Sequence, residues 1–245
     1  MKIEGSVALV TGANRGLGKA FAAGLIDAGA ATVYAGARDP ATVTDPRVTP
    51  IRLDVTEPHD VEAAAAQCLD VSILVNNAGV MLLTSMLSAD AEQAMRREME
   101  VNVFGTLRMI QAFAPILARN GGGAIANMLS VVSWFVYPFN ATYSASKHAA
   151  LAVTEGARIE LRAQGTLVVG IHAGFVDTDM AAFVAGPKTP ARQVVERTLQ
   201  AIRHGEEQVL ADARAEETWR NSRTDPAGLA ARMQQVWDAG PSWKT

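Results

Sequence analysis

Tyr143 and Lys147 stand four residues apart in the stretch TYSASKHAALAV, with only Ser144, Ala145 and Ser146 between them. On an α-helix, positions i and i+4 share a face about 5–6 Å apart at Cβ, so a phenol and an ammonium meet there across small side chains. A free tyrosine titrates near pH ~10; it donates a proton readily at neutrality but regenerates its phenolate poorly. A neighbouring cation favours phenolate and lowers that pKa, each unit being worth about 1.4 kcal/mol. Such a pair suits proton delivery to an oxygen on which negative charge is building. Taken alone, the pair has a plainer explanation, an amphipathic helix whose Tyr and Lys happen to share a face.

A second stretch, TGANRGLGKA, puts Gly12, Gly16 and Gly18 directly after an apolar strand pattern and before a helical one. Glycines there let the backbone turn tightly and approach a pyrophosphate, and the helix start that follows offers free N–H groups and a positive dipole end. The next strand pattern closes as VYAGARD, giving Ala37 and Arg38 before the acid Asp39. An Asp or Glu at that point holds a free ribose 2′-OH, whereas a 2′-phosphate needs a cation. Arg38, with Arg15 reaching over from the glycine turn, suits a dianionic phosphate. NADP(H) is therefore the expected cofactor in preference to NAD(H). Asp39 is the opposing signal, and a solvated surface position is the alternative for either arginine.

The elements that must carry these groups follow from hydrophobic patterning. Short β-branched runs (VALVT, ATVYAG, VTPIRLDV, SILVNN, GAIANML, TLVVGIHA, EQVLA) alternate with helical segments at 16–29, 57–68, 90–118, 141–163 and 190–203. Strands apolar on both faces, each leading to a helix, predict a doubly wound, Rossmann-type parallel α/β sheet of about seven strands with helices on both faces. Pro40, Pro46 and Pro50 leave room for no more than a short helix between the second and third strands. After residue 211 the pattern is helical again, broken at Asp225-Pro226. One domain over residues 1–245 is expected, with a substrate lid at about 175–195 and a helical C-terminal segment at about 212–245.

A net charge of −3 offers no basic field for nucleic acid, and 19% charged with 49% hydrophobic residues is an ordinary globular balance. Cys68 is the single cysteine, so no internal disulfide forms and a buried, inert thiol is expected. The N-terminus does not resemble a secretory signal, and no run of about 20 apolar residues suggests a membrane span. A cytoplasmic location is the expectation. His59, His148, His172 and His204 are scattered without metal-ligand spacing, so no metal site is expected.

Across nearly the whole chain to about residue 211, the sequence resembles the short-chain dehydrogenase/reductases. The resemblance rests on TGANRGLG at 11–18, LDVT at 53–56, NNAG at 76–79, VNVFG at 101–105, NMLS at 127–130, YSASK at 143–147 and HAGFVDT at 172–178. It implies a catalytic set of Asn102, Ser130, Tyr143 and Lys147. Ser130 would hydrogen-bond the substrate oxygen. Asn102 would bend its helix, where an amide competes for backbone hydrogen bonds, and take part in a water-borne proton relay to Lys147. A surface or core-satisfying Asn is the alternative. The resemblance further implies a cofactor site made of Gly12, Asn14, Arg15, Gly16, Leu17 and Gly18 in the turn, with Arg38. Asp54 and Val55 would line the adenine pocket. Asn76, Ala78 and Gly79 would pass the adenosine half while steadying the sheet. Tyr143, Lys147, Gly174, Val176 and Thr178 would lie at the nicotinamide end.

The chain departs from the family in having Ala173-Gly174 where relatives commonly have Pro-Gly, and WDAGPSW at its end in place of an Asp-Gly-Gly type tail. A homodimer or homotetramer is expected, with pairing through 90–118 and 141–163. The implied activity is NADPH-dependent reduction of a carbonyl, or oxidation of the corresponding secondary alcohol. The aromatics Trp134, Phe135, Tyr137 and Phe139, with Met180 and Phe183, suggest a hydrophobic substrate, although some of them could face a subunit interface. Two alternatives remain: a non-catalytic NADP(H)-binding sensor or interaction protein, and a redox-assisted epimerase or dehydratase.

Overall fold

The central β-branched runs bury both faces: Ala8, Leu9, Val10, Ile73, Leu74 and Val75 are fully inaccessible, as parallel strands between helical layers must be. The computed structural model describes residues 1–241. Its strands are β1 (Val7–Thr11), β2 (Thr32–Ala37), β3 (Thr49–Arg52), β4 (Ile73–Asn76), β5 (Ala124–Met128), β6 (Leu167–His172) and β7 (Gln208–Leu210). They form one parallel sheet in the order β3-β2-β1-β4-β5-β6-β7. Strand order reverses between β1 and β4, so a crevice opens beyond their carboxyl ends, where open α/β sheets bind ligands.

The helices are α1 (Gly16–Asp27), α2 (Pro58–Gln67), α3 (Ala91–Met99), α4 (Thr106–Arg119), α5 (Ala141–Leu161), α6 (Ala191–His204), α7 (Ala213–Thr224) and α8 (Pro226–Ala239). Phe21 and Leu25 of α1 and Val195 and Ile202 of α6 pack with Ala8, Val10, Ile73 and Val75 on one face of the sheet. On the other face Val61, Met109, Phe113 and Leu117 meet Leu9 and Leu74. Between β2 and β3 the chain makes only a single 3₁₀ turn, Pro40–Thr42, in keeping with the three prolines there. The break at Asp225-Pro226 is a helix start, with Asp225 accepting from the Gly228 N–H at 2.9 Å and proline at the first helical position. Of the expected C-terminal helical segment, residues 242–245 lie outside the described residues.

One helical run bears on the expectation that no segment suggests a membrane span. The continuous helical run Ala91–Arg119, 29 residues, is long and apolar enough to cross a membrane by length and composition. Its apolar stripe is occupied within the protein, with Met109, Phe113 and Leu117 fully buried against the sheet, and Arg108 pairs with Glu100 along it at 2.7 Å. That is how a core helix behaves.

Candidate active site

The crevice beyond the sheet is a cleft of about 900 Å³. Its floor begins at the turn after β1. Gly12 and Gly16 hold φ of +65° and +52°, which side-chain-bearing residues rarely adopt. A Cβ at Gly18 would collide with the Gly12 carbonyl and the Asn77 amide. Asn77 Nδ2 donates to the carbonyls of Thr11 and Gly12 at 3.0 and 3.3 Å, while Thr11 Oγ1 accepts the N–H groups of Asn77 and Ala78 at 3.0 and 2.9 Å. These bonds hold the two sides of the crevice together. No side chain caps the start of α1, so its first N–H groups remain available to an anion in the cleft.

Asn14, Arg15 and Leu17 line the cleft beside these glycines, with Arg38 at the end of β2. Asp39 turns its carboxylate back to accept the Ala41 N–H at 3.0 Å. Arg15 reaches across the cleft to within 3.8 Å of Asp179, both side chains being largely exposed. Further along, Asp54 and Val55 follow β3. Burial alone would raise the Asp54 pKa, but the backbone N–H and hydroxyl of Thr56, at 2.9 and 2.7 Å, outweigh it; with Arg38 and Arg97 they hold the carboxyl below its ordinary range. Ala78 and Gly79 line the next stretch of wall, and Gly174, Val176 and Thr178 the loop after β6.

Asn76 does not line the cleft. It is buried in the sheet, donating to Asn127 Oδ1 at 2.8 Å, and Asn127 passes the chain to Thr154 at 3.1 Å. Of the implied pair of roles, the structure gives it only the steadying of the sheet, and Asn77 occupies the cleft wall instead.

Ser130, Tyr143 and Lys147 converge on one wall. Ser130 ends the β5 segment and caps a 3₁₀ turn, its Oγ accepting the Val132 N–H at 3.3 Å, and it favours the charged form of the Tyr143 phenol. Lys147 Nζ donates to the Met128 carbonyl at 2.8 Å and lies 5.6 Å from the centre of the Tyr143 ring. Burial lowers the Lys147 pKa to about 8. Burial, then the nearby Glu98 carboxylate, push Tyr143 above its ordinary value, Ser130 offsetting only part. The ammonium is anchored to a carbonyl and itself desolvated, so its field does not outweigh the loss of water around the phenol.

Asn102 stands behind this wall. The stretch Glu100–Gly105 is π-helical, the bend expected from an amide in mid-helix. Asn102 Oδ1 accepts the Val80 N–H at 2.9 Å, and Nδ2 donates to the Val80 carbonyl at 3.0 Å and to Ser146 Oγ at 2.9 Å. The side chain thus ties the loop after β4 to α5, and a Cβ at Gly79 would stand 3.2 Å from it.

Sequence reasoning missed Glu98, which is fully buried, accepts the Leu82 N–H at 2.8 Å and has one carboxyl oxygen without a partner. Burial raises its pKa, against the hydrogen bond from Leu82. It also missed Arg97 and Arg214 on the cleft wall. Of the candidate substrate-pocket residues, Phe135, Tyr137 and Met180 line the cleft. Trp134 stacks instead on His172 at 3.9 Å, Phe139 on Trp237 at 5.1 Å, and Phe183 meets Phe175 edge-on at 5.9 Å. Among the described residues no three His, Cys, Asp or Glu side chains gather as metal ligands would.

A glycine turn feeding an uncapped helix at the switch point of a doubly wound sheet, facing a Ser–Tyr–Lys wall, defines a nucleotide-dependent oxidoreductase. The family model "short chain dehydrogenase" matches residues 6–187, and the chain belongs to that family. A short chain dehydrogenase from Burkholderia cenocepacia J2315, solved in complex with NADP, is 43% identical with a TM-score of 0.92, over 95% of this chain and 99% of that one. A short chain dehydrogenase/reductase from Burkholderia phymatum, solved in complex with NAD, is 26% identical with a TM-score of 0.80, over 90% and 93% of the two chains. The sorbitol dehydrogenase of Cereibacter sphaeroides is 35% identical, over 72% of this chain and 73% of its own length.

Proposed function

We propose that the chain is an NADP(H)-dependent oxidoreductase that reduces the carbonyl of a largely apolar substrate, or oxidises the corresponding secondary alcohol, with Tyr143 as general acid/base. The convergence of Tyr143, Ser130 and Lys147 on the cleft that starts at the glycine turn carries this reading. The bound nicotinamide supplies or accepts the hydride. The chain's own residues manage the oxygen. Ser130 Oγ hydrogen-bonds it, and Tyr143, held neutral by its raised pKa, keeps its proton until charge develops and then donates it. Lys147, at about 8, stays mostly protonated near neutrality yet exchanges its proton easily, which suits it to resupply the phenol. Because the Asn102 side chain is occupied by Val80 and Ser146, its part is to hold the π-helical bend and the loop after β4.

Three observations support NADP(H) over NAD(H). Arg15 and Arg38 both line the cleft. Asp39, the one opposing residue, is engaged in capping Ala41. The Burkholderia cenocepacia relative binds NADP. Val132, Phe135, Tyr137 and Met180 support an apolar substrate. The segment after β6 is the proposed lid: its ends are closed by Thr189 N–H to Phe175 at 2.7 Å and Asp177 N–H to Thr189 at 2.9 Å, and α6 takes over from Ala191. Self-association through α4, α5 and the π turn belongs to the same proposal, since Phe104 and Ile159 there are 45% and 74% exposed; sedimentation of the purified protein tests it.

The test of the function is to mix the protein with NADPH and a panel of carbonyl compounds and follow loss of the reduced nicotinamide. Turnover on apolar ketones or aldehydes is expected. Tight NADPH binding with no turnover on any carbonyl or alcohol would overturn it.

A further inference from the structure

One charged side chain of the cleft has no part in the chemistry above. Arg214, the second residue of α7, lines the cleft on the side of Gly174, Phe175 and Tyr137. Its stem lies flat on Gly174, where an added Cβ would come within 2.9 Å of its Cδ. Its guanidinium carbon sits 5.0 Å from the centre of the Phe175 ring, which Phe183 meets edge-on. The arginine is therefore positioned by packing and cation–π contact before any ligand arrives.

No carboxylate neutralises it among the described residues. Asp212, two residues earlier, uses Oδ1 on the Ala215 N–H at 2.8 Å and Oδ2 on the Gly174 N–H and the Thr189 hydroxyl at 2.9 and 2.8 Å. Glu216 pairs with Arg197 at 2.8 Å. The cleft's other cations work elsewhere: Arg38 and Arg97 act on Asp54, Arg15 faces Asp179 and Lys147 is bound to Met128. What remains on the substrate side is one planar fork of five donors, matched to a planar, singly charged acceptor. A phosphate dianion would want a second cation there.

We infer that the substrate is a carbonyl compound carrying a carboxylate, which Arg214 receives while an apolar body lies against Phe135, Tyr137 and Phe175 and the reacting oxygen meets Tyr143 and Ser130. This rests on the proposed role of Tyr143 and adds to it a charged recognition point.

The probes are benzoylacetate, benzoylpropionate and benzoylbutyrate, which step the distance between ketone and acid, each beside its primary amide. Calorimetric titration into the protein–NADP⁺ complex reads binding without turnover. At least one acid should bind on the order of 10- to 100-fold more tightly than its amide, as a charge-assisted bidentate contact requires. In Arg214→Gln that preference should vanish while amide binding shifts by no more than a few-fold, which also shows that the variant is folded. Arg214→Lys should keep part of it. Equal binding of acids and amides to the wild type, or an acid preference that survives Arg214→Gln, would overturn the inference. Rates with NADPH separate the two proposals: acids that bind through Arg214 but are never reduced would count against the carbonyl reductase reading alone.

Discussion

Lys147 donates from Nζ to the Met128 carbonyl at 2.8 Å, which fixes its ammonium to the end of β5, 5.6 Å from the centre of the Tyr143 ring. The lysine is thus held by the sheet, independently of the tyrosine, and its proton is exchangeable because burial brings its pKa to about 8. Carbonyl reduction should be level at pH values where Lys147 is charged and fall as pH rises through about 8, since the deprotonated amine cannot resupply the phenol. The kcat–pH profile with saturating NADPH checks this. In Lys147→Met the fall should disappear, with kcat already roughly 100-fold lower. A wild-type rate that climbs through this range would contradict the assignment.

The oxidative direction needs the phenolate, and Tyr143 is held neutral by burial and by Glu98. Alcohol oxidation should therefore speed up into alkaline pH. Replacing Glu98 by Gln removes the charge without removing the acceptor that Leu82 uses. The alkaline limb of the oxidation profile should then move to lower pH, and an unmoved limb would show that Glu98 does not reach the tyrosine.

Cofactor choice turns on Arg38. Arg38→Asp removes the cation and adds a charge that repels a 2′-phosphate, so kcat/KM with NADPH should fall by roughly 100-fold while that with NADH holds or rises. The ratio of the two constants is the measurement; an unchanged ratio would contradict the assignment.

His172 predicts how the fold responds to acid. It is 2% exposed, stacked on Trp134 and bonded to the Ser130 carbonyl at 3.1 Å. Burial lowers its pKa from 6.5 to about 4. The unfolded chain therefore takes up the proton first. Stability from neutral His172 is fully present above about 6.5 and is lost as pH falls through about 4. That loss amounts to roughly 3 kcal/mol. Tm measured from pH 7 to pH 4 should drop less steeply in His172→Gln than in the wild type, and parallel slopes would contradict the assignment.

The sheet and its helices are legible in the sequence because their signals are local. Strands such as SILVNN are apolar on both faces, prolines forbid a long helix between β2 and β3, and Asp225-Pro226 marks a helix start. The buried, inert state of Cys68 follows from the same patterning; it is fully buried, and burial pushes its thiol up to about 12. Tyr143, Lys147 and the glycine turn announce themselves because their chemistry needs fixed spacing along one helix or turn. What escapes depends on contacts between distant segments. Nothing around Arg214 in the sequence says that it will lie on Gly174, and nothing near Glu98 says that it will be buried beneath Leu82. Asn76 and Asn77 are adjacent and chemically identical; only the end of β4 at Asn76 decides which stays in the sheet and which lies on the cleft wall. Trp134 and Phe139 read as pocket residues by their nearness to Ser130, yet His172 and Trp237, remote in sequence, take them as stacking partners.

The central claim is that Tyr143 delivers the proton. Tyr143→Phe removes one hydroxyl and leaves the ring in place, so NADPH affinity should stay within a few-fold of wild type while kcat for carbonyl reduction falls by about 100- to 10,000-fold. A variant that binds NADPH normally and turns over within a few-fold of wild type would contradict the account.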